Sequence, residues 1–399
     1  VSAPTEVLLR NVRPYRLAPC DIRVVNGAIA EIGSNLAAGD GAEIIEGNNR
    51  LLFPGFVDAH AHMDKTLIGL GWYHNEVGPS LQDKIDNERN LRASQGIDAH
   101  AQSTKQARLA LATGTTRIRT FVDIDTEWKL AGFEGVQRTR EDFADALDIQ
   151  IVAFPQSGML IRPGTVELME EALKQGAEVV GGLDPSTIDR DPAKHLDVIF
   201  ELAEKYNADV DIHLHEPGDL GAFSVELIAE RTKVLGWQGR VVISHAICLG
   251  GVEDAYLNRL IDLLLEQEIT IMSHGPSGLR PVPSVKRLHD AGVRLCTGND
   301  GIRDAWGPLN MPDMLLRAFI VAYRNNFRRD DELEIALDLI TTGSAAVVGG
   351  DAYGIVPGAS ADLVLLDGDT HVETVIERPT NRLVMKRGKI VADGGVCLV

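Results

Sequence analysis

Eight short runs rich in β-branched residues recur between residues 54 and 348, each followed by a segment of helical period, and no other feature limits the fold as strongly. The runs are Gly55–His60, Thr115–Val122, Asp148–Phe154, Glu178–Gly182, Ala208–His213, Arg240–His245, Ile269–Ser273 and Val293–Gly298. Spacers such as Ala101–Ala112, Pro192–Tyr206 and Asp254–Glu268 place apolar residues along one helical face. Strands alternating with helices imply βα units and a parallel sheet. Eight such units close a (β/α)8 barrel of the TIM type, so the expected fold class is α/β. The chain ends read differently. Glu6–Arg10, Asp21–Gly27, Ala28–Gly33, Ala361–Asp367, Arg382–Gly388 and Lys389–Gly394 are short strands joined by Gly turns. Residues 1–53 and 349–399 are therefore expected to form one small β-sandwich domain beside a catalytic barrel of residues 54–348, with Leu51-Leu-Phe-Pro-Gly as the crossing point.

Charge narrows the range of partners. There are 58 acidic and 39 basic side chains, a net charge of −19, which repels nucleic acid and anionic membrane surfaces. No run reaches the roughly 18 consecutive apolar residues that a membrane span needs, and Val1-Ser-Ala-Pro-Thr is not built like a secretory leader. Cys20, Cys248, Cys296 and Cys397 are far apart and form no CxxC pair, so neither a disulfide framework nor a thiolate metal site is expected. The expected setting is the reducing cytoplasm.

The chemistry gathers at the strand ends. His60 and His62 are two residues apart at the end of the first run, and side chains at i and i+2 of a strand share a face. His213 and His215 end the fifth run, His245 ends the sixth, and Asp300 follows the eighth. Active sites of barrels lie at the C-terminal ends of the strands, so these groups are expected to converge there. His100, His195 and His289 fall in helical segments and His371 in the terminal β-domain, where surface or packing roles are expected, whereas His74 and His274 lie near the barrel mouth. Imidazoles plus a carboxylate, without thiolates, suit one Zn²⁺ or Fe²⁺ ion. Such an ion lowers the pKa of a coordinated water toward about 7, which makes hydrolysis the natural chemistry. Glu216, three residues after His213, is placed to carry a proton from that water to the substrate.

The set His60-x-His62, Gln156, His213-x-x-Glu216, His245 and Asp300 resembles the cytosine deaminase group of the amidohydrolase superfamily. The likeness extends through Phe53–Lys65, Ile151–Gly158 and Tyr353–Gly358 over nearly the whole chain. It implies metal ligation by His60, His62, His213 and Asp300, with His245 orienting the nucleophile and Glu216 shuttling the proton. It further implies that Asp300 helps protonate the departing amine, that Gln156 binds the amide edge of the ring and that Trp306 walls the pocket. The runs His62-Met-Asp-Lys65, His213-Leu-His215 and Asp300–Asp304 are also similar to the N-isopropylammelide isopropylaminohydrolases, in which the second histidine of the pair is a candidate base. Lys65 is placed to orient substrate or to pair with an acid such as Asp64, and His215 is a further substrate-binding candidate.

Gly301 stands where the cytosine enzymes carry a second Asp, and the stretch between His245 and Asp300, with Gly275–Pro283 at its centre, is shorter than theirs. Both differences fall where a ring edge is read. The expected activity is therefore hydrolytic deamination of a small amino-substituted N-heterocycle, with an alkylamino-triazine, a pterin, isocytosine or a creatinine-like ring as alternatives to a cytosine-like pyrimidine. A two-metal cyclic-amide hydrolase would need a bridging Lys at the fourth strand end, which here reads Val180-Gly-Gly-Leu-Asp-Pro-Ser. A non-catalytic metabolite-binding barrel would not need the full ligand set. Relatives suggest a homo-oligomer, and residues 67–93 are long enough to form a lid carrying Trp72, Tyr73 and His74.

Overall fold

The computed structural model describes residues 6–276 and 278–399, so the opening Val1–Thr5 and Ser277 of the Gly275–Pro283 stretch lie outside the described residues. Eight parallel strands form one sheet in sequence order: β1 (Phe56–Ala61), β2 (Thr115–Asp123), β3 (Asp148–Phe154), β4 (Val179–Leu183), β5 (Asp209–His213), β6 (Val241–Ser244), β7 (Thr270–Met272) and β8 (Leu295–Cys296). The sheet closes on itself where Ala59 N donates to Thr297 O at 3.1 Å and Asp300 N donates to His60 O at 2.7 Å. The expected (β/α)8 barrel is present. The eighth strand is shorter than Val293–Gly298 because only two of its residues keep ladder geometry against β7.

The helices start and stop where local chemistry dictates. Asp191 caps Pro192–Tyr206, Pro192 opens it, and Asn207 ends it in the left-handed region at φ 51°. The other two expected helices run over Ala99–Ala112 and Asp254–Glu266. One expectation is corrected. Residues 67–93 are not all loop, because Leu81–Gln95 is a helix with a Ser80/Asp83 capping box and Gly96 closing it at φ 58°. Its sequence, Leu-Gln-Asp-Lys-Ile-Asp-Asn-Glu-Arg-Asn, has almost no apolar stripe, so the periodicity that reveals other helices is missing.

Strands from both chain ends join in a second sheet. Leu51–Pro54 lies between Glu6–Pro14, parallel to it, and Leu363–Leu366, antiparallel to it. Asn26-Gly27 and Arg387-Gly388 turn hairpins with both residues at positive φ, the geometry of a type I′ turn. The second sheet has a core of its own in Val7, Leu9, Ile22, Leu52, Leu363 and Met385, and it joins the barrel through Phe53, Val364, Leu366 and Val384, which share the barrel's hydrophobic core, and through a buried ionic clamp at the junction. In that clamp Lys386, fully buried, donates to Asp362 Oδ2 at 2.8 Å, Asp148 Oδ2 at 2.6 Å and Thr116 O at 3.2 Å. No described helix is long and apolar enough to cross a membrane. The four cysteines are free, Cys248 and Cys296 being buried.

Candidate active site

The site rises from the C-terminal ends of β1, β3, β5, β6 and β8. One ligand atom each from His60, His213, His245 and Asp300 lies within 4.8 Å of the others. His62 joins them, its Nε2 standing 3.3 Å from Asp300 Oδ1 and 3.4 Å from His213 Nε2. Phe121 and Phe154 form an apolar floor, with ring centroids 4.3 Å from His60 and 4.3 Å from His213 respectively. The backbone is bent to aim two of the groups: His245 sits at φ 71° and Asp300 at φ 61°, a region that costs a non-glycine residue about 1–3 kcal/mol and that clusters at functional sites.

The electrostatics suit a cation. Burial lowers His62 to about 4, aided by the Lys65 ammonium, and holds His213 and His245 well below the usual imidazole range, so all three keep lone pairs at neutral pH. Burial alone would raise Asp300, but the imidazoles of His274, His60 and His62 hold it well below the usual carboxylate range. Among the described residues, His60 Nε2 and His245 Nε2 are buried without a hydrogen-bond partner. Unpaired buried nitrogens beside a carboxylate are costly unless a ligand takes them up, so the donor set fits a divalent ion. His60 is held from behind. Its Nδ1 is 3.0 Å from Ser244 Oγ, Ser244 donates to Asp211 Oδ1 at 2.7 Å, and Arg119 donates to Asp211 Oδ2 at 3.0 Å. Since the Ser244 hydroxyl hydrogen is given to a carboxylate, its oxygen accepts the Nδ1–H of His60, which leaves Nε2 as the free donor atom.

A cavity of about 910 Å³ opens over this cluster, lined by His62, Lys65, Gln156, His215, His274 and Trp306 among others. His274, placed near the mouth by sequence, lies inside the site, with Nδ1 3.1 Å from His245 Nδ1 and Nε2 3.5 Å from Asp300 Oδ2. His74 instead lines an adjoining cavity with Trp72 and Tyr73, which shares Trp306 and Asp304 with the first. His195 and His371 pack as expected: His195 Nδ1 is 2.7 Å from Asp189 Oδ2, and His371 lies against Tyr15 and Phe53.

Three placements differ from the simplest reading. Lys65 does not pair with Asp64. Its Nζ lies 3.2 Å from Asp123, 3.4 Å from Glu88 and 3.0 Å from Gln156 Oε1, while Asp64 is taken by Arg92 at 3.0 Å. Glu216 is buried with both oxygens occupied: Oε1 accepts from Ser186 N at 2.7 Å and Thr187 N at 2.8 Å, and Oε2 from Ser224 Oγ at 2.6 Å. His215 faces the cavity, stacked on His245 at 4.4 Å, with Nδ1 2.9 Å from Asp184 Oδ2. Burial would lower its pKa, but the Asp184 carboxylate raises it above the ordinary imidazole value. Asp123 and Asp184 are functional residues that the sequence analysis misses, although each stands at or just past a C-terminal strand end, the same signal that marks the histidines. Glu88 carries no such signal, because it lies in the helix Leu81–Gln95, which has almost no apolar stripe.

The sequence matches the Amidohydrolase family over residues 84–392. The chain belongs to the amidohydrolase family. Like its family, this amidohydrolase is a hydrolytic enzyme. It is 32% identical over 381 residues to N-isopropylammelide isopropyl amidohydrolase of Pseudomonas sp. (strain ADP), covering 93% of each chain. Among solved structures, N-isopropylammelide isopropylaminohydrolase from Burkholderia multivorans ATCC 17616 superposes with a TM-score of 0.96 at 48% identity, over 99% of this amidohydrolase and 100% of that chain. The 5-methylcytosine deaminase from Klebsiella pneumoniae superposes with a TM-score of 0.86 at 29% identity, covering 97% of each chain.

Proposed function

We infer that this amidohydrolase hydrolyses the exocyclic C–N bond of a small oxo-substituted N-heterocycle, releasing ammonia or an alkylamine. The observation that carries the reading is the convergence of His60, His62, His213, His245 and Asp300 at the floor of a cavity whose walls offer Lys65, Gln156 and Trp306. His60, His62, His213 and Asp300 would hold one Zn²⁺ or Fe²⁺ ion, which when bound supplies a water acidic enough to serve as nucleophile near neutral pH. His245, neutral and unpaired at Nε2, would accept a hydrogen bond from the attacking water and orient it. His215, its pKa raised by Asp184 and its ring open to the cavity, moves a proton to the ring or to the departing nitrogen. Glu216, matched to the proton shuttle of cytosine deaminases, here ties the residues after β4 to the helix Gly218–Leu235. Trp306 closes one wall against the ring face.

Two ring classes are favoured by likeness to named relatives. We put alkylamino-triazines first, supported by the 48% identity to an N-isopropylammelide isopropylaminohydrolase, and aminopyrimidines second, supported by the 29% identity to a 5-methylcytosine deaminase. Pterin, isocytosine and creatinine-like rings follow. We place the enzyme in the cytoplasm as a homo-oligomer, to be checked by light scattering. The deciding experiment follows amine release by mass spectrometry from alkylamino-triazines, aminotriazines, aminopyrimidines, pterins and creatinine with Zn²⁺- and Fe²⁺-loaded protein. Release from one class by the wild type, with loss in His245→Ala at unchanged metal content, supports the reading. Opening of a cyclic amide, with no amine released from any ring, overturns it.

A further inference from the structure

A second cavity, of about 590 Å³, opens beside the metal-ligand cluster, and its lining differs in kind from that of the first. His215, Asp300 and Trp306 line both, so the two spaces meet at the groups that would act on the reacting C–N bond. Lys65 and Gln156 belong to the first cavity alone. In the second, Pro79, Leu81, Ile247 and Pro281 supply apolar wall, and Lys84 and Arg280 add two cations. Lys84 is half-buried and Arg280 exposed, which puts the cations toward the outer end.

The charges on this wall are unevenly matched. Its buried acids are already engaged: Asp184 Oδ1 accepts from His215 N at 2.5 Å with Oδ2 2.9 Å from His215 Nδ1, and Glu216 is held by Ser186, Thr187 and Ser224. Its cations are not. Among the described residues neither Lys84 nor Arg280 has a carboxylate oxygen within 4.0 Å, whereas Lys65 lies 3.2 Å from Asp123. Lys84 Nζ stands instead over the Trp306 ring, 5.8 Å from its centroid. In a chain with 58 acidic and 39 basic side chains, two cations left without an acid beside one cavity keep their donors open to an anionic ligand. A departing ammonia would leave this space unused, and a plain alkyl group would use its walls and neither cation.

We propose, on the reading of the site as a hydrolase of exocyclic C–N bonds, that the second cavity holds the departing half of the substrate and that this half bears a carboxylate, so that the enzyme releases an amino acid from an N-(carboxyalkyl)amino heterocycle. Water adds to the ring carbon, the exocyclic C–N bond breaks, the ring keeps the oxygen as a carbonyl, and the nitrogen takes a proton and leaves as the amine of the amino acid. The alkyl chain lies on the apolar wall, and its carboxylate accepts from Lys84 and Arg280. No co-reactant beyond water is needed.

The test uses metal-loaded protein and dioxotriazine rings joined through CH2 in place of the exocyclic NH, which cannot release an amine. They come in pairs of equal chain length, one alkyl and one carboxyalkyl, and calorimetry measures their binding at neutral pH. At the best-fitting length the wild type is expected to bind the carboxyalkyl member ~10-fold or more tightly, the worth of a charge-assisted hydrogen bond. In the double variant Lys84→Met/Arg280→Met that ratio should fall toward one with alkyl binding unchanged. Equal binding by the wild type at every length overturns the proposal, as does a ratio that survives in the double variant. Arg303 lines the first cavity and not the second, so an equal fall in Arg303→Met would show a general attraction at the mouth and also overturn it. With NH restored in the linker, mass spectrometry should find the free amino acid. Release of alkylamines alone is the failure of this proposal, whereas release of no amine from either series is the failure of the hydrolase reading, with the binding ratio still deciding what the cavity holds.

Discussion

The division of labour between His215 and Glu216 turns on what each side chain already touches. Glu216 engages both carboxylate oxygens with two backbone N–H groups and the Ser224 hydroxyl, bonds that hold the turn after β4 and favour the ionised form against a burial that raises its pKa. Glu216→Gln should therefore keep turnover within about tenfold of the wild type while lowering stability by ~1–3 kcal/mol, the cost of leaving buried polar groups mispaired. His215→Asn should keep the metal and lose turnover by ~10²–10⁴-fold, the usual contribution of a positioned acid or base. Steady-state rates beside metal analysis decide the matter, and the opposite ranking would return the shuttle to Glu216. Behind the ligands, Ser244 fixes the tautomer of His60. Ser244→Ala removes the acceptor of the Nδ1–H, and metal affinity measured against a competing chelator should weaken ~10–100-fold.

At the level of elements, β8 depends on a glycine. A Cβ on Gly298 would lie 2.4 Å from His60 N and 2.5 Å from His60 O, where β8 crosses β1 to close the barrel. The collision is with backbone, so it is not relieved by a rotamer. Gly298→Ala should push Asp300 off the histidine cluster, costing both metal affinity and several kcal/mol of stability; a variant that unfolds and binds zinc like the wild type would show that the close approach does not matter. The same crossing explains what the sequence could reveal. Seven strands were readable as apolar runs, and the eighth appeared as Val293–Gly298 although only Leu295–Cys296 pairs, because its end leaves the ladder to deliver Asp300. His60, His62, His213, His245 and Asp300 were legible because strand ends in a barrel must converge. The partners of Lys65 were not, since Glu88 belongs to a helix held by ion pairs instead of an apolar stripe, and hydrogen-bond occupancy, which separates Glu216 from His215, leaves no mark in a linear pattern.

For the molecule as a whole, the junction between the barrel and the second sheet is an electrostatic clamp, and its pH dependence can be worked out. Lys386 and Asp362 come from the second sheet and its approach, whereas Asp148 and Thr116 come from β3 and β2. Burial alone would raise the Asp362 carboxyl, but the Lys386 ammonium, with hydrogen bonds from Arg387 N and Ser360 Oγ, holds it below the ordinary carboxylate range. A carboxyl whose folded pKa lies below its unfolded value stabilises the fold above the unfolded value, about 3.9, and loses that stabilisation as pH falls through the folded pKa. Asp362→Asn should therefore cost ~3–5 kcal/mol at neutral pH, the penalty for breaking a buried pair and leaving one charge undercompensated. The gap between the two proteins in urea unfolding should stay wide down to about pH 4 and then close as acid protonates Asp362 in the wild type. A gap independent of pH would mean that Asp362 acts through packing alone, and a gap that widened toward acid would reverse the sign of the linkage. Since His62 and Gln156 lie at the far, C-terminal end of β1 and β3 from this clamp, metal content per folded molecule should not change in Asp362→Asn.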